Sequence, residues 1–443
     1  MTEAPAKMAR ARRGMTLLPL VGALYFMVSG GPYGLEELAQ KVGFGASLFV
    51  LAVTPVVWSL PTALMVGELA AALPEEGGYY AWVRRALGPF WGFQEAWLSL
   101  AASVFDMGIY PTLFVLYLQR LAPGLVPSPI LVGALVVAAG AAFNLAGARA
   151  VGEGSIAMTV LLLAPFVVLV ALGFAAHVPP EARPAAPAES PDLAGAVLVA
   201  MWNYMGWDNA STVARDVERP QRTYPRAVLA AVVLVALTYV IPFAAMWAAG
   251  VDPKDWDTGA FVEVARTFGG LPLGVAVVVG GMISAFGMFN ALCLSYSRLP
   301  AALADDGYLP PVFGRTLAHG APWASILACA AAWMLSLGLS FDRLVSLDIL
   351  LYGTSLVLEF VALVVLRVRE PGLARPFRIP GGVPGAVLVG VGPVLLLGFA
   401  LVKNLDEHVA GMNALVFGAC VALLGVPAYL VSRRYRASRA KAA

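Results

Sequence analysis

The chain has 443 residues, of which 60% are hydrophobic and only 13% are charged, and its formal net charge is +2. Because soluble globular domains carry about 25% charged residues, this composition excludes an ordinary soluble protein, and the small charge gives no reason to expect a nucleic-acid partner. Apolar stretches of about 18 residues or more recur without the alternation of a β-barrel. We therefore expect an all-α integral membrane protein embedded in a lipid bilayer.

Twelve transmembrane helices are predicted, joined mostly by short polar connections. An even number of spans places both chain ends on one side of the bilayer. The loops and tails of that side hold 22 of the 29 Lys and Arg residues, so the positive-inside rule predicts that both termini are cytoplasmic. The approximate limits of the spans are 16–41, 46–73, 90–120, 128–147, 152–176, 193–214, 226–250, 270–302, 322–340, 344–367, 385–403 and 411–432.

The first predicted span contains SGGPYG at residues 29–34. As one straight helix, residues 16–40 would measure roughly 37 Å, which is more than the ~30 Å hydrocarbon core. Three glycines and a proline at its centre predict an interruption of the helix. The interruption is either a kink that neighbouring helices repair, or backbone that is freed to bind a ligand.

The third predicted span carries Asp106 near its centre. An acid at the bilayer centre costs at least ~2.5 kcal/mol on insertion scales, so Asp106 is a candidate functional residue. The alternative is a structural acid that is hydrogen-bonded or kept protonated by its apolar site. Before this span, EEGGYYAWVRRALGPF at 75–90 predicts a short amphipathic helix on the cytoplasmic side.

A Pro-rich polar linker, HVPPEARPAAPAESPD at 177–192, divides the first ten spans into five and five. The sixth span, which follows it, is again poorly helical at Asn203, Tyr204 and Gly206, with Asp208 just beyond. Matching interruptions in the first spans of two halves indicate a transporter built from inverted repeats, with substrate bound near the bilayer midplane. After the sixth span, RDVERPQRTYPRA at 215–227 predicts a charged cytoplasmic loop.

This layout divides the chain into six parts. They are a cytoplasmic N-terminal tail at 1–15, a first five-helix repeat at 16–176, the extracellular linker at 177–192, a second five-helix repeat at 193–368, a cytoplasmic loop with the last two helices at 369–432, and a cytoplasmic C-terminal tail at 433–443.

The tenth predicted span carries a third central acid, Glu359, and the middle of the spans contains no Lys or Arg. Carboxylates without basic partners favour cations, either substrate amines or protons. Five aromatic residues are candidates for cation-π contacts of ~0.5–2 kcal/mol each, although we expect fewer than half of them to touch substrate. These are Trp58, Tyr110, Trp202, Tyr204 and Trp207.

Proton coupling needs a group that titrates near neutral pH. All three histidines lie in predicted loops or at span ends, so a buried histidine relay is not expected. The remaining candidates are buried carboxylates, with Asp106 and Asp208 first and Glu359 third.

Several stretches resemble the amino acid-polyamine-organocation superfamily, and most closely its branch of polyamine and L-type amino acid uptake transporters. The resemblance covers nearly the whole chain and implies a LeuT-type fold, in which spans one, two, six and seven form a bundle that moves against a scaffold. The stretches that carry it are SGGPYG, then GELAAALPEEGGYYAWVRRALGPFWGFQEAW at 67–97, VFDMGIYPTLFVLYL at 104–118, WNYMGWDNASTVARDVERPQRTYPRAV at 202–228, FGMFNALCLSYSRLPAALADDGYLPPVF at 286–313 and LVLEFVALVVLRVREPGLARPFRIP at 356–380.

The resemblance also implies substrate-binding residues. It gives Trp202 the part of an aromatic gate and Asp208 that of an acid that is usually Glu in relatives. The unwound sixth-span backbone matches Asn203, Tyr204, Met205 and Gly206. The glycine-rich turn that receives a substrate carboxylate or amine matches Ser29, Gly30, Gly31, Pro32, Tyr33 and Gly34.

Two departures concern a sodium site found in relatives. Where many bacterial carriers have a lysine in the fifth span, alignment on LLLAPF places Leu162. An adjacent Ser/Thr pair that helps to bind sodium is not evident in NALCLSYSRLP at 290–300. Both usual occupants of that site are therefore in doubt.

Together these features predict a secondary active transporter that takes up a small organic cation, a polyamine or an amino acid, by alternating access with protons as the expected coupling ion. The closest alternative is an exchanger or uniporter of neutral or zwitterionic amino acids. A non-transporting sensor or partner subunit is a further alternative. The short tails suggest a bacterial inner membrane.

An enzyme is not expected, because HExxH, GxSxG and GxxxxGK motifs are absent from the sequence. We expect neither a cofactor nor a bound metal.

Overall fold

The structure is a computed structural model that describes residues 14–184, 191–339, 341–403, 405, 408–409 and 412–442. Residues 1–13 of the predicted N-terminal tail, residues 185–190 of the predicted linker and the last residue of the C-terminal tail lie outside the described residues. The described part is almost entirely helical, apart from two two-residue strands, β1 (His408–Val409) and β2 (Met412–Asn413). The α-helices are α1 (Leu17–Val28), α2 (Glu36–Thr54), α3 (Leu60–Ala72), α4 (Tyr79–Leu87), α5 (Pro89–Leu121), α6 (Pro129–Asn144), α7 (Ala148–Ala175), α8 (Leu193–Asn203), α9 (Pro220–Ala248), α10 (Ala260–Tyr296), α11 (Arg298–Asp305), α12 (Trp323–Trp333), α13 (Phe341–Arg369), α14 (Gly382–Lys403) and α15 (Ala414–Ala442).

Eight helical stretches in the described residues are long and apolar enough to cross a membrane, and four shorter apolar helices accompany them. Because a bilayer-spanning helix needs about 20 apolar residues, the chain is a multi-pass membrane protein. The shorter helices are Leu17–Val28, Pro129–Asn144, Leu193–Asn203 and Trp323–Ser336.

Both interruptions predicted from the sequence are present. α1 ends at Val28 and α2 begins at Glu36, with turn geometry between them. α8 ends at Asn203 and the chain resumes as a 3-10 helix at Asn209–Asp216. In the second interruption Gly206 has a φ of 94°, which lies in the left-handed region that glycine tolerates and other residues rarely adopt.

The second interruption packs against the end of α1, just before the first interruption. A Cβ atom added at Gly206 would lie 2.3 Å from the carbonyl oxygen of Met27. Carbonyl groups freed by the second interruption are bound by side chains: Tyr239 donates its hydroxyl to the Asn203 carbonyl at 2.7 Å, and the Trp58 indole N–H donates to the Tyr204 carbonyl at 3.0 Å. The broken backbone is therefore held in place by neighbouring helices, as buried polar groups require.

Several predicted boundaries differ from the structure, among them the end of the twelfth span, because α15 continues to Ala442 through the predicted tail. The first span runs into the second without a separate loop, because Gly43 at φ 74° turns the chain inside α2. The helix of the eighth span begins ten residues before its predicted start, at Ala260, and Gly270 at φ 69° kinks it. Much of the predicted charged loop at 215–227 is helical, because Pro220 starts α9 at the position that proline favours.

One face of the molecule, here called the α4 face, carries a network of charged groups. The predicted amphipathic helix at 75–90 is present there as α4. Arg298 pairs with Asp216 at 2.7 Å, and Arg84 pairs with Asp306. The backbone of Met15 bonds to Asp216 and to Glu218, at 2.6 and 2.9 Å. On the opposite face, Arg120 pairs with Asp257 at 2.8 Å.

Candidate functional site

A small cavity lies where the end of α1 and the second interruption meet α5, α10 and α13. α5 contributes residues from its middle, α10 from its C-terminal end, and α13 from its first half. The lining residues are Met27, Val28, Asp106, Tyr110, Trp202, Asn203, Met205, Gly206, Asn209, Met288, Leu292, Tyr296, Asp348 and Tyr352.

The cavity wall carries two carboxyl groups and no Lys or Arg. Asp106 on α5 accepts hydrogen bonds from the hydroxyls of Tyr110 at 2.5 Å and Tyr296 at 3.0 Å. Asp348 on α13 has one oxygen, Oδ1, without a hydrogen-bond partner in the described residues. Both acids are 4% exposed. A cavity of this kind is suited to a cation, because buried carboxylates are stabilised by an opposite charge or by hydrogen-bond donors.

The sixth-span residues predicted from the sequence divide into two groups. Trp202, Asn203, Met205 and Gly206 line the cavity. Tyr204 does not, because its hydroxyl donates to the Leu51 carbonyl at 2.9 Å. The substrate-contact role of these residues stays a prediction.

Asp208 lies just outside the cavity lining and is tied to it through Tyr352. The Tyr352 hydroxyl donates to the Asp208 carboxylate and accepts the backbone N–H of Gly206 at 3.1 Å. One side chain of α13 therefore holds both the second interruption and the acid that follows it.

The glycine-rich turn Ser29–Gly34 lies behind the cavity wall, which α1 reaches through Met27 and Val28 instead. Two of the turn's three glycine N–H groups are already engaged: the Gly31 N–H donates to the Ser29 hydroxyl oxygen at 3.0 Å, and the Gly34 N–H to the Glu36 carboxylate at 2.7 Å. The Ser29 N–H donates to the Tyr25 carbonyl at 2.6 Å, and Pro32 has no N–H. The structure therefore gives this turn an internal anion.

Relatives are expected to hold a sodium ion or a lysine beside this turn. In this chain, apolar side chains and hydroxyl groups pack against the turn. A Cβ atom at Gly31 would lie 2.8 Å from Cδ1 of Leu162. The Ser284 hydroxyl donates to the Gly30 carbonyl at 2.5 Å, and the Tyr33 hydroxyl to the Val277 carbonyl at 2.7 Å. In this position Leu162 supplies packing and no charge.

Glu359 also lies away from the cavity. It is fully buried, and neither of its carboxyl oxygens has a hydrogen-bond partner in the described residues. Asp208 and Glu95 are the charged groups that act on it.

Sequence reasoning missed several residues of this region. Asp348 and Glu95 lie in predicted spans but close to their predicted ends, where an acid is unremarkable. Of the five aromatic candidates, only Tyr110 and Trp202 line the cavity. Tyr296 and Tyr352 line it as well and were not predicted. One signal was available in the sequence. Tyr296 on α10 and Tyr352 on α13 each lie within 11 residues of other polar residues on the same helix.

Within the described residues, no group of three or more His, Cys, Asp or Glu side chains is placed to hold a metal ion.

Comparison with known proteins adds independent information. Residues 22–425 match the family model described as amino acid permease. The polyamine transporter RMV1 of Arabidopsis thaliana is 34% identical over 424 residues, which cover 94% of this chain and 86% of that protein. The polyamine transporter PUT1 of Oryza sativa subsp. japonica is 34% identical over 425 residues, covering 94% and 79%. The serine/threonine exchanger SteT of Bacillus subtilis is 24% identical over 398 residues, covering 86% and 87%.

Proposed function

The chain belongs to the amino acid permease family, and on that premise we propose that it is a proton-coupled uptake carrier of small organic cations, with polyamines as the favoured substrates. The observation that carries this proposal is the charge of the cavity. Asp106 and Asp348 face it, and no basic side chain lines it. A substrate ammonium group supplies the positively charged partner that these two carboxyl groups do not have in the cavity wall.

The aromatic walls of the cavity support the same substrate class. Tyr110, Trp202, Tyr296 and Tyr352 are all lining residues. Cation-π contacts with such rings contribute ~0.5–2 kcal/mol each, and the ring faces also accommodate an alkyl chain. The names of the plant relatives, which are polyamine transporters, agree with this substrate class.

The glycine-rich turn argues against the main alternative, a carrier of zwitterionic amino acids. Such a substrate needs free backbone donors for its carboxylate, whereas the Gly34 N–H already donates to Glu36 and the Gly31 N–H to Ser29. A second carboxylate beside Glu36 would also be repelled. The Bacillus relative is a serine/threonine exchanger, so amino acid exchange is the alternative that the experiment below must separate.

The transport cycle proposed here is alternating access in a LeuT-type fold. The eight long and four shorter apolar helices support twelve spans. The two interruptions, in the first and sixth spans, and the close approach of Gly206 to the end of α1 support a five-plus-five inverted repeat at 16–176 and 193–368. In this scheme Trp202 closes over the substrate. Asp106 and Asp208 release a proton when the positively charged substrate binds. The ion pairs of the α4 face and of the opposite face then open in turn.

The same proposal gives the orientation. The α4 face carries Arg84, Arg85, Arg298 and Arg436, so the positive-inside rule makes it cytoplasmic together with both termini. The protein would then work in a plasma membrane or a bacterial inner membrane.

The test is uptake of labelled putrescine into proteoliposomes that contain the purified protein, with the outside more acidic than the inside. Spermidine, serine, leucine and arginine serve as unlabelled competitors. The expected result is saturable uptake that spermidine blocks and neutral amino acids do not, and that collapses when the pH gradient is removed.

Three variants refine this test. Asp106→Asn and Asp348→Asn remove a cavity charge without changing its shape, and we expect each to raise the KM for putrescine by about tenfold or more, since a buried charged hydrogen bond contributes about 1.5–3 kcal/mol. Asp255→Asn, on an exposed loop, is the matched control and should leave KM unchanged. A preparation that exchanges serine but takes up no putrescine would overturn the polyamine assignment.

A further inference from the structure

Two helices beside the cavity each carry two buried acids at the same spacing. On α5 they are Glu95 and Asp106, and on α13 they are Asp348 and Glu359. Eleven residues correspond to about three helical turns, or about 16 Å, so both acids of a pair lie on the same side of their helix.

The two helices run antiparallel, and their register brings the acids level in pairs. Near one end, a Cβ atom at Gly108 would lie 3.3 Å from Leu344. At the other end, Arg85, just before α5, pairs with Glu370, just after α13, at 2.7 Å. Asp106 is therefore level with Asp348 at the cavity. Glu95 is level with Glu359 about three turns closer to the α4 face.

Unlike Asp106 in the cavity, neither Glu95 nor Glu359 accepts a hydrogen bond of good geometry from a described residue, although Asp208 lies near Glu359. Both side chains are fully buried, and none of their four carboxyl oxygens has a hydrogen-bond partner in the described residues. The hydroxyls of Ser99 and Ser355 are near Glu95 but donate to backbone carbonyls, those of Glu95 itself and of Tyr352. Neither glutamate lines the substrate cavity.

The charged and titratable groups around the pair come from three elements. Asp208, after α8, is near both glutamates, and Tyr352 on α13 is near Glu359. Tyr79, the first residue of α4, is near Asp208 and both glutamates, and its hydroxyl has no hydrogen-bond partner in the described residues.

Among the described side chains, the other neighbouring elements bring no free cation to the pair. The α4 arginines are engaged elsewhere, Arg84 with Asp306 and Arg85 with Glu370. On α3, Glu68 is paired with Arg367, further along α13. On α10, the Tyr296 hydroxyl donates to Asp106, at the level of the cavity. From the α15 side, the backbone carbonyl of Ala422 accepts the side chain of Gln94.

Two ionised carboxylates side by side in such surroundings would cost several kcal/mol per ion, because neither a cation nor a donor offsets their lost hydration. A single shared proton removes one of the two charges and joins one oxygen of each carboxyl group in an O–H···O hydrogen bond. We infer that Glu95 and Glu359 together form the binding site of the coupling proton, between the substrate cavity and the cytoplasmic helix α4. This inference rests on the proposed function, since it assigns the site of the proton that drives uptake.

The arrangement gives the proton a route. Asp208 is hydrogen-bonded to Tyr352, which lines the cavity, and it is also near Glu359. When a cation fills the cavity, Asp208 can therefore release its proton to the glutamate pair. The hydroxyl of Tyr79 then offers the next acceptor toward α4. The pair holds the proton while the cavity is occupied and releases it when the α4 face opens to water.

The test separates proton coupling from substrate exchange in proteoliposomes that carry a pH dye inside. Counterflow exchange of labelled for unlabelled putrescine needs no net proton movement, whereas substrate-driven internal acidification does. We expect Glu95→Gln and Glu359→Gln to retain exchange within about threefold of the unaltered protein and to lose acidification by about tenfold or more. Glu153→Gln, an exposed acid on α7, is the matched control and should change neither.

Conservative variants keep the inference testable if the amides fold poorly. Glu95→Asp and Glu359→Asp retain an ionisable group and should recover part of the acidification, with a changed dependence on external pH. Retention of full acidification in the double Gln variant would overturn the inference. Equal loss of exchange and acidification in well-folded variants would also overturn it, as would a strict requirement for a sodium gradient in place of a proton gradient.

Failure of the proposed function gives a different result. In that case the unaltered protein itself shows no putrescine exchange. If it exchanges an amino acid instead, the same exchange and acidification measurements on the two glutamate variants, made with that amino acid, still decide whether the pair holds the proton.

Discussion

The hydroxyl of Tyr352 bridges Asp208 and the backbone N–H of Gly206, donating to the carboxylate and accepting the N–H at 3.1 Å. Tyr352 lies on α13, whereas the other two groups belong to the second interruption. The bridge therefore couples the position of the unwound segment to the helix that also carries Asp348 and Glu359.

Replacement of Tyr352 by Phe should weaken transport more than it weakens the fold. The ring still fills its space, but Asp208 loses a donor and the Gly206 N–H loses its acceptor, at a cost of about 1–3 kcal/mol for a buried unsatisfied group. We expect the KM for putrescine to rise about fivefold or more while the thermal unfolding temperature in detergent falls only slightly. Tyr435→Phe, on α15 at the molecule's periphery, is a control that should leave both unchanged. An unaltered KM in Tyr352→Phe would show that the bridge does not position the site.

Gly206→Ala should be more damaging than Gly34→Ala, although both glycines have positive φ values, 94° and 85°. The left-handed backbone costs a non-glycine residue roughly 1–2 kcal/mol in either case. At Gly206 the added Cβ would also lie 2.3 Å from the backbone carbonyl of Met27, which cannot rotate away, whereas at Gly34 the nearest atom is a Trp202 ring carbon at 3.6 Å. The check is the yield of folded protein by size-exclusion chromatography, together with uptake. Equal losses in the two variants would contradict the expectation that the close approach of Gly206 to Met27 adds to the damage.

How much of this could be predicted from sequence depends on the kind of signal. SGGPYG and the stretch from Asn203 to Gly206 predicted both interruptions, because glycine and proline disfavour a helix locally. Asp106 was evident because it lies at the centre of an apolar span. Asp348 and Glu95 were missed because their importance depends on the antiparallel register of α5 and α13, which no local pattern shows. The engagement of Gly34 by Glu36 is likewise a contact in space, although the two residues are near in sequence.

Leu162, at the position where many bacterial carriers have a lysine, lies beside the glycine-rich turn. The resemblance to known transporters assigned roles to such positions, and these roles stay predictions. It also assigned the turn Ser29–Gly34 to substrate, whereas the structure has Met27 and Val28 at the cavity wall. Proteins of one fold share the positions of their backbone segments more widely than they share the hydrogen-bonding partner of each polar group.

Arg367→Met should destabilise the protein strongly. Arg367 donates to the fully buried Glu68 through two nitrogens, at 2.8 Å from Nε, and to the Ile379 carbonyl at 2.9 Å. Its removal leaves a buried carboxylate with only Arg375, at 3.3 Å, as a charged partner, and breaking a buried pair in this way costs about 3–5 kcal/mol. The measurement is thermal unfolding in detergent.

The matched control for that prediction is Arg85→Met. Arg85 also binds a carboxylate through two nitrogens, at 2.9 and 2.7 Å, but Glu370 lies in a solvent-accessible position. The Arg85 hydrogen bonds hold the pKa of Glu370 below its usual range, so the pair stabilises the fold above the ordinary Glu pKa and loses that effect as the pH falls through the lowered value. Because water screens this pair, we expect less than about 1 kcal/mol. Similar losses for both arginines would mean that Glu68 is better hydrated than its burial indicates.

Glu36→Gln tests whether a carboxylate of the protein occupies the anion position of the glycine-rich turn. One Glu36 oxygen accepts the Gly34 N–H at 2.7 Å, and the other accepts the Gly259 N–H at 3.1 Å. A glutamine has one acceptor and one amide donor group, so either orientation turns an N–H toward one of these backbone N–H groups. We expect a lower unfolding temperature, corresponding to about 1–3 kcal/mol for the unpaired donor.

The same substitution should change substrate selectivity, because it removes the negative charge that excludes a substrate carboxylate from the turn. Serine and other zwitterionic amino acids should then compete with putrescine several-fold more strongly than they do in the unaltered protein. Glu37→Gln is the control, since Glu37 neighbours Glu36 in the same turn of α2 but is near only the Thr258 hydroxyl, at 3.3 Å. If Glu36→Gln and Glu37→Gln show the same competition profile, Glu36 acts only in folding, and the preference for cations must come from the cavity acids Asp106 and Asp348 alone.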